Sequence, residues 1–201
     1  MKTIVKSFFS VVACFLFATA MNAQTVVLKP KHDTYVVCTS KSTKSFGSEK
    51  LLKSINKTTD AYKKLETFIQ FEISKKNFGS IDKLQKATFR IYETGQGLKE
   101  KKQFSLHYIS ENNWDSSLTG LDRAELKLNA SPVSKGIKTF TKEENAPGTW
   151  YEVDVTQFVK NSTKRSISFR ILNKGGEDDA EALLFVSSEN KENAPELVLE
   201  F

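Results

Sequence analysis

Nine lysines lie between residues 25 and 64 against three acids, Asp33, Glu49 and Asp60, whereas from residue 65 onward 19 basic residues face 21 acidic ones. The chain carries a formal charge of +6 at pH 7, and its excess is concentrated at one end, as expected of a face for a polyanion. Lys29, Lys31, Lys41, Lys44, Lys50 and Lys53 are the candidate ligand-binding cations. Tyr35 inside the basic stretch and Trp150 far from it are the candidate rings for stacking on a sugar face. Lysines bind nucleic-acid phosphates without sequence preference, but no nucleic-acid motif is present. A polyuronate such as alginate fits better, because its carboxylates recur along the polymer. Lysines on edge strands also deter edge-to-edge pairing and aid solubility, so no single one identifies a site.

Residues that could do bond-breaking chemistry are sparse. A polysaccharide lyase needs a base and an acid near groups that neutralise a uronate carboxylate. His107 and Tyr108 are adjacent in a strand pattern and should face opposite ways. His32 stands alone between Lys31 and Asp33, and two histidines make neither a zinc set nor a Ser-His-Asp triad. No pair of carboxylates is singled out for glycosidase chemistry. Asp33, Asp154 and Glu177-Asp178-Asp179 could offer oxygens to a structural calcium, but none has EF-hand spacing, and no cofactor or metal site is expected. Cys38, in Tyr35-Val-Val-Cys38, reads as a small buried hydrophobe rather than a nucleophile.

The elements that must position these residues are short strands. In Trp150-Tyr-Glu-Val-Asp-Val-Thr156 alternation puts Tyr151, Val153 and Val155 on a core face and Trp150, Glu152 and Asp154 on the other. Phe68-Ile-Gln-Phe-Glu-Ile73 and Ala87-Thr-Phe-Arg-Ile-Tyr92 read the same way, which predicts an all-β sandwich. Strands are expected near 25–29, 33–38, 49–55, 65–74, 85–93, 103–110, 135–141, 149–155, 166–172, 182–188 and 196–201. Helical turns are expected at Thr156-Gln-Phe-Val-Lys160, with Thr156 as N-cap, and within Leu118 to Leu128. Trp114 is expected in the core.

Several of these segments, taken in order, resemble carbohydrate-binding module family 96, the DNRLRE domains. They are Asp33-Thr-Tyr-Val36, Ser45-Phe-Gly47, Phe71-Glu-Ile-Ser74, Ala87-Thr-Phe-Arg-Ile-Tyr92, Asn113-Trp114, Trp150 to Thr156, Ser187-Ser-Glu189 and Pro195-Glu-Leu197. The resemblance runs from about Val26 to Phe201. It implies a secreted jelly-roll β-sandwich of two antiparallel sheets, of the kind often attached to alginate lyases and other polysaccharide-degrading enzymes. Three positions depart from the family's wording: Ser45 replaces its Asn, Ser188 its Arg, and Leu126-Lys127-Leu128 its Leu-Thr-Trp stretch. Ligand contacts made by that Arg or Trp are therefore in doubt here.

Residues 1–23 read as a signal peptide, with Lys2 and Lys6 before an apolar run from Phe8 to Ala20 and small-x-small cleavage sites at Ala18-Thr-Ala20 and Met21-Asn-Ala23. Val11-Val-Ala-Cys14 resembles a lipobox, but the apolar run continues beyond Cys14, which argues against a lipoprotein. The run is shorter than the roughly 20 residues a membrane span requires, so no membrane insertion is expected. Residues 24–201 suit one domain, and Cys38, the one cysteine beyond the signal, has no disulfide partner within the chain. The expectation is a secreted, periplasmic or cell-surface module, with its own export signal, that binds an acidic polysaccharide without altering it and has a polysaccharide-degrading enzyme as a potential neighbour. The competing expectations are an envelope adhesion protein with a protein partner, and a small lyase.

Overall fold

Among the described residues, period-two patterning resolves into eleven antiparallel strands. A computed structural model describes residues 24–96, 99–131, 133–175 and 178–201. Residues 1–23, the expected signal peptide with Cys14, and the side chains of the Glu177-Asp178-Asp179 trio lie outside the described residues. In one sheet β1 (Thr25–Leu28) pairs with β11 (Glu196–Glu200), which pairs with β5 (Lys86–Glu93). The other edge of β5 carries β8 (Thr149–Asp154), and β10 (Asp178–Val186) joins β5 at Glu93 and continues to β3 (Leu51–Lys57). The second sheet runs β2 (His32–Val37), β4 (Leu65–Glu72), β9 (Ser166–Asn173), β6 (Lys102–Ile109) and β7 (Ser134–Lys142). The sheets meet where Ile55 of β3 pairs with Leu65 of β4. This is the all-β jelly-roll sandwich that the patterning and the resemblance led us to expect.

The core lies between the inner faces. Ile69 and Phe71 of β4, Phe169 and Ile171 of β9 and Phe104 of β6 meet Phe89 and Ile91 of β5, Phe185 of β10 and Leu197 of β11. The Phe89 and Phe169 rings, one from each sheet, approach to 4.7 Å between centroids. Each large apolar side chain closed from water contributes about 1.5–3 kcal/mol, and with no disulfide within the domain this packing holds the sheets together.

A second cluster lies outside the second sheet, where residues 110–133 cross its outer face and bury Val36, Phe68, Ile109, Trp114, Leu118 and Leu128. Trp114 is 8% exposed and meets Phe68 edge-on, so it belongs to a core. Within this segment α2 (Gly120–Glu125) begins at a capping box, Thr119 and Asp122 each satisfying the other's backbone N–H, and ends before Lys127 at φ 53. Arg123 of α2 reaches down to Glu66 of β4, which also meets Arg170 of β9.

Two local expectations change. Thr156 is the first residue of α3 (Thr156–Lys160) and not its cap, because its hydroxyl accepts from Ala87 N–H and donates to the Asp154 carboxylate. Strand β10 begins at Asp178, four residues before its apolar alternation starts, with a register shift between Asp179 and Leu183 that accommodates the polar stretch. An additional helical turn, α1 (Lys75–Phe78), is capped by the Ser74 hydroxyl.

Candidate functional site

The loop between β2 and β3 assembles three of the eight candidate residues. Tyr35 sits on β2, an edge strand, and is 4% exposed. Phe46 from the loop stacks on it, with centroids 4.3 Å apart and planes 22° apart. Lys44 Nζ lies 4.8 Å from the Phe46 centroid and Lys53 Nζ 5.5 Å from that of Tyr35, a geometry worth about 0.5–1 kcal/mol at exposed sites. Burial, then the Glu49 carboxylate, pushes the Tyr35 phenol up to about 12, so the ring stays neutral beside the two cations. Lys41 and Lys50 of the same loop are exposed. Among the described residues none of Lys41, Lys44, Lys50 and Lys53 forms an ion pair.

The loop is fixed from three sides. Ser45 Oγ donates to the Ser116 carbonyl at 2.9 Å, and a Cβ on Gly47 would collide with that same carbonyl, so glycine permits the close approach. Leu121 N–H donates to the Ser42 carbonyl at 3.0 Å. At the far end Ser187 Oγ donates to the Glu49 carbonyl at 2.6 Å. Ser188, the position where the family's Arg is absent, donates its N–H at 2.6 Å and its hydroxyl at 3.0 Å to the Asp33 carboxylate.

Lys29, Lys31 and Trp150 lie outside this loop, and each of the two lysines is held by an acid, unlike the four lysines just described. Lys31 is held by Glu72 at 2.6 Å, which Arg165 also approaches. Lys29 is held by Glu196 at 2.9 Å, and Arg90 ties Glu196 to Glu152, each at 2.6 Å. The Arg90 guanidinium lies 4.7 Å from the Trp150 ring centroid and Tyr92 meets Trp150 edge-on at 5.5 Å. Trp150 thus occupies the outer face of the first sheet, half-buried and opposite the core-facing Tyr151 and Val153. Carboxylates from β4 and β11, distant in sequence, engage the two lysines.

His107 and Tyr108 point to opposite faces. His107 Nε2 is 3.0 Å from Ser105 Oγ and Nδ1 3.3 Å from Ser134 Oγ, while Tyr108 packs on Phe158 beside the core. His32 Nδ1 lies 3.4 Å from Ser116 Oγ. Burial, then neighbouring cations, lowers the pKa of both histidines. The Cys38 thiol is pushed up by burial and by Glu66, which keeps it protonated and a poor nucleophile. Among the described residues no three His, Cys, Asp or Glu side chains converge as metal ligands. No helix of the described residues is long and apolar enough to cross a membrane.

Phe46 is the site residue that sequence reasoning passed over. It stands in Ser45-Phe-Gly47, quoted above only for the family resemblance, yet it lies two positions from Lys44 inside the basic stretch. The profile of carbohydrate-binding module family 96 matches residues 24–201, and the chain belongs to that family. No curated protein matches it.

Proposed function

We propose that this family 96 carbohydrate-binding module recognises an acidic polysaccharide, alginate or a related polyuronate, outside the cell and without cleaving it. Lys41, Lys44, Lys50 and Lys53 bind carboxylates, and the stacked Phe46 and Tyr35 rings hold Lys44 and Lys53 in place for them. The observation that carries this reading is that Lys44 and Lys53 rest on the Phe46 and Tyr35 rings with no acid partner among the described residues. Their ammonium groups are oriented by the rings rather than neutralised, which lowers the ordering cost of meeting a carboxylate. Each exposed pair contributes about 0.2–1 kcal/mol, so the four together supply roughly 1–4 kcal/mol, screened as salt is added. Trp150 with Tyr92 and Arg90 offers a second ring platform on the outer face of the first sheet.

The non-catalytic reading is supported by the divergence of His107 and Tyr108, which leaves that pair unable to serve one substrate as base and acid. Export through the residues 1–23 signal and work beside a polysaccharide-degrading enzyme complete the proposal.

Affinity electrophoresis of the mature protein through gels containing alginate, polygalacturonate or a neutral glucan tests it. Retardation by the acidic polymers alone is expected. Mobility indifferent to every glycan, with a protein partner recovered from envelope extracts, would transfer the assignment to adhesion. Unsaturated ends appearing on the polyuronate would make the protein a lyase.

A further inference from the structure

The segment 110–133 leaves part of the second sheet's outer face uncovered, and two adjoining cavities lie there. One, of about 200 Å³, is lined by Asn56, Lys64, Glu66, Arg170, Asn173 and Lys174 among others. The other, of about 290 Å³, is lined by Ser105, His107, Gly136, Lys138, Thr139 and again Lys174. We propose that this groove, from Lys64 past Arg170 and Lys174 to His107, is a second and separate site for the charged group of an acidic sugar, a carboxylate or a sulfate ester. The ligand class rests on the reading above; the location does not.

Charge is the first argument. Glu66 is the one acid lining either cavity among the described residues, and it is over-matched. Arg123 donates to it through Nε at 2.7 Å and Nη2 at 2.9 Å, and Arg170 through Nη2 at 3.1 Å. Burial alone would push the Glu66 carboxyl up, but the two guanidinium groups hold it below the usual range, so it stays ionised and one positive charge is left over. Lys64 and Lys174 add theirs, and neither forms an ion pair among the described residues.

The floor of the groove is the second argument. Exposed lysines alone would be no more than a solvated rim, but Arg170 is 6% exposed. Its Nη1 donates to Ser134 Oγ at 3.1 Å, while its Nε lies 2.9 Å from Glu66 Oε2 without hydrogen-bond geometry and has no acceptor. A buried cation partly screened from water interacts more strongly with an arriving anion than a solvated one does.

Size and lining set the ligand. Drug-sized ligands need roughly 300–1,000 Å³, so each cavity suits one charged sugar unit. No Phe, Tyr or Trp lines either one, which separates this groove from the Phe46 and Trp150 surfaces: it selects charge, not a ring face.

His107 supplies the reporter. Burial, then Arg170 and Lys174, lowers its pKa against a smaller opposing pull from Glu66, with the Ser105 and Ser134 hydroxyls on its two nitrogens. An anion bound beside it favours the imidazolium. In NMR pH titrations of the mature protein, trigalacturonate or a sulfated chondroitin disaccharide should raise the His107 midpoint by about 1 pH unit, and cellotriose should not. Loss of one peak in His32→Gln separates the two histidine signals. The acidic probe giving the larger shift identifies carboxylate or sulfate as the natural group. Lys174→Glu, at an exposed position, should weaken probe binding about fivefold and shrink the shift at a fixed, sub-saturating probe concentration. An unmoved His107 with every probe, an equal shift with cellotriose, or unchanged binding to Lys174→Glu would overturn the groove. Polyuronate binding lost on reversing Lys41, Lys44, Lys50 and Lys53 while His107 never responds would sink the groove alone. A His107 response that survives that reversal, with polymer affinity also intact, would sink the lysine-loop reading and keep the groove.

Discussion

Phe46 stacks face to face on Tyr35, with ring centroids 4.3 Å apart, and Lys44 and Lys53 rest on the pair. Aromatic pairs contribute about 0.5–1.5 kcal/mol beyond their buried area. Phe46→Ala should therefore cost about 1 kcal/mol of stability by urea denaturation, a modest loss. Polyuronate affinity should fall severalfold, because the loop loses its ring and Lys44 its support. Phe46→Tyr should retain both. An alanine variant that binds as tightly as the parent would remove Phe46 from the site.

Lys142 and Glu93 form an ion pair of 2.8 Å with side chains 1% and 0% exposed. The ammonium also donates to the Ala146 and Pro147 carbonyls, and Glu93 accepts from Gly95 N–H, so the pair fastens the turn before β8 to the end of β5. Breaking a buried pair from one side costs about 3–5 kcal/mol because the surviving charge is left without a partner. Lys142→Met should unfold at markedly lower urea, and Lys142→Met with Glu93→Leu should recover most of the loss. A double variant no more stable than the single one would contradict this account.

Asp33 is closed from water beneath Ser188, and burial raises its carboxyl to about 6 despite the two hydrogen bonds from Ser188. A carboxyl whose folded pKa exceeds the unfolded value near 3.8 binds more protons in the native state between those pH values. Its contribution is thus most favourable below pH 4 and is lost as pH rises through 6, by about 3 kcal/mol at 1.36 kcal/mol per unit. Asp33→Asn should remove this component. The stability difference between parent and variant, measured at pH 4, 5, 6 and 7, should shift progressively in the variant's favour. A difference constant across that range would show that Asp33 titrates normally.

Arg123 joins the outer segment to Glu66 of β4. Arg123→Met should speed amide exchange at Trp114, Leu118 and Leu128 while leaving Phe169 and Phe185 protected, since only the covering layer depends on that contact. Uniform loss of protection would mean that the outer segment and the sandwich open as one unit.

Much of the fold was legible because strand alternation is local. Tyr151, Val153 and Val155 declare a buried face without reference to any other strand, and the eleven expected strands lie within a few residues of those observed, β10 differing most. What was not legible depends on partners far along the chain. Alternation turns Phe68 and Gln70 outward, and nothing nearby says that residues 110–133 return to cover them. The charge count likewise treated Lys29 and Lys31 as equivalent to Lys44, yet Glu196 stands 167 residues from the lysine it holds. Lys44 and Lys53 escaped such neutralisation because their nearest partners are rings.

In the proposed function four loop and strand cations, rather than a neutral sugar pocket, supply the affinity. Isothermal titration of alginate oligosaccharides into the mature protein and into the Lys41→Glu/Lys44→Glu/Lys50→Glu/Lys53→Glu variant, at low and physiological salt, separates the two. Parent affinity should fall severalfold with salt, and the variant should bind about tenfold or more weakly, keeping only the contribution of the separate groove. Binding that ignores ionic strength, or a variant that binds like the parent, would show that the loop lysines do not carry recognition.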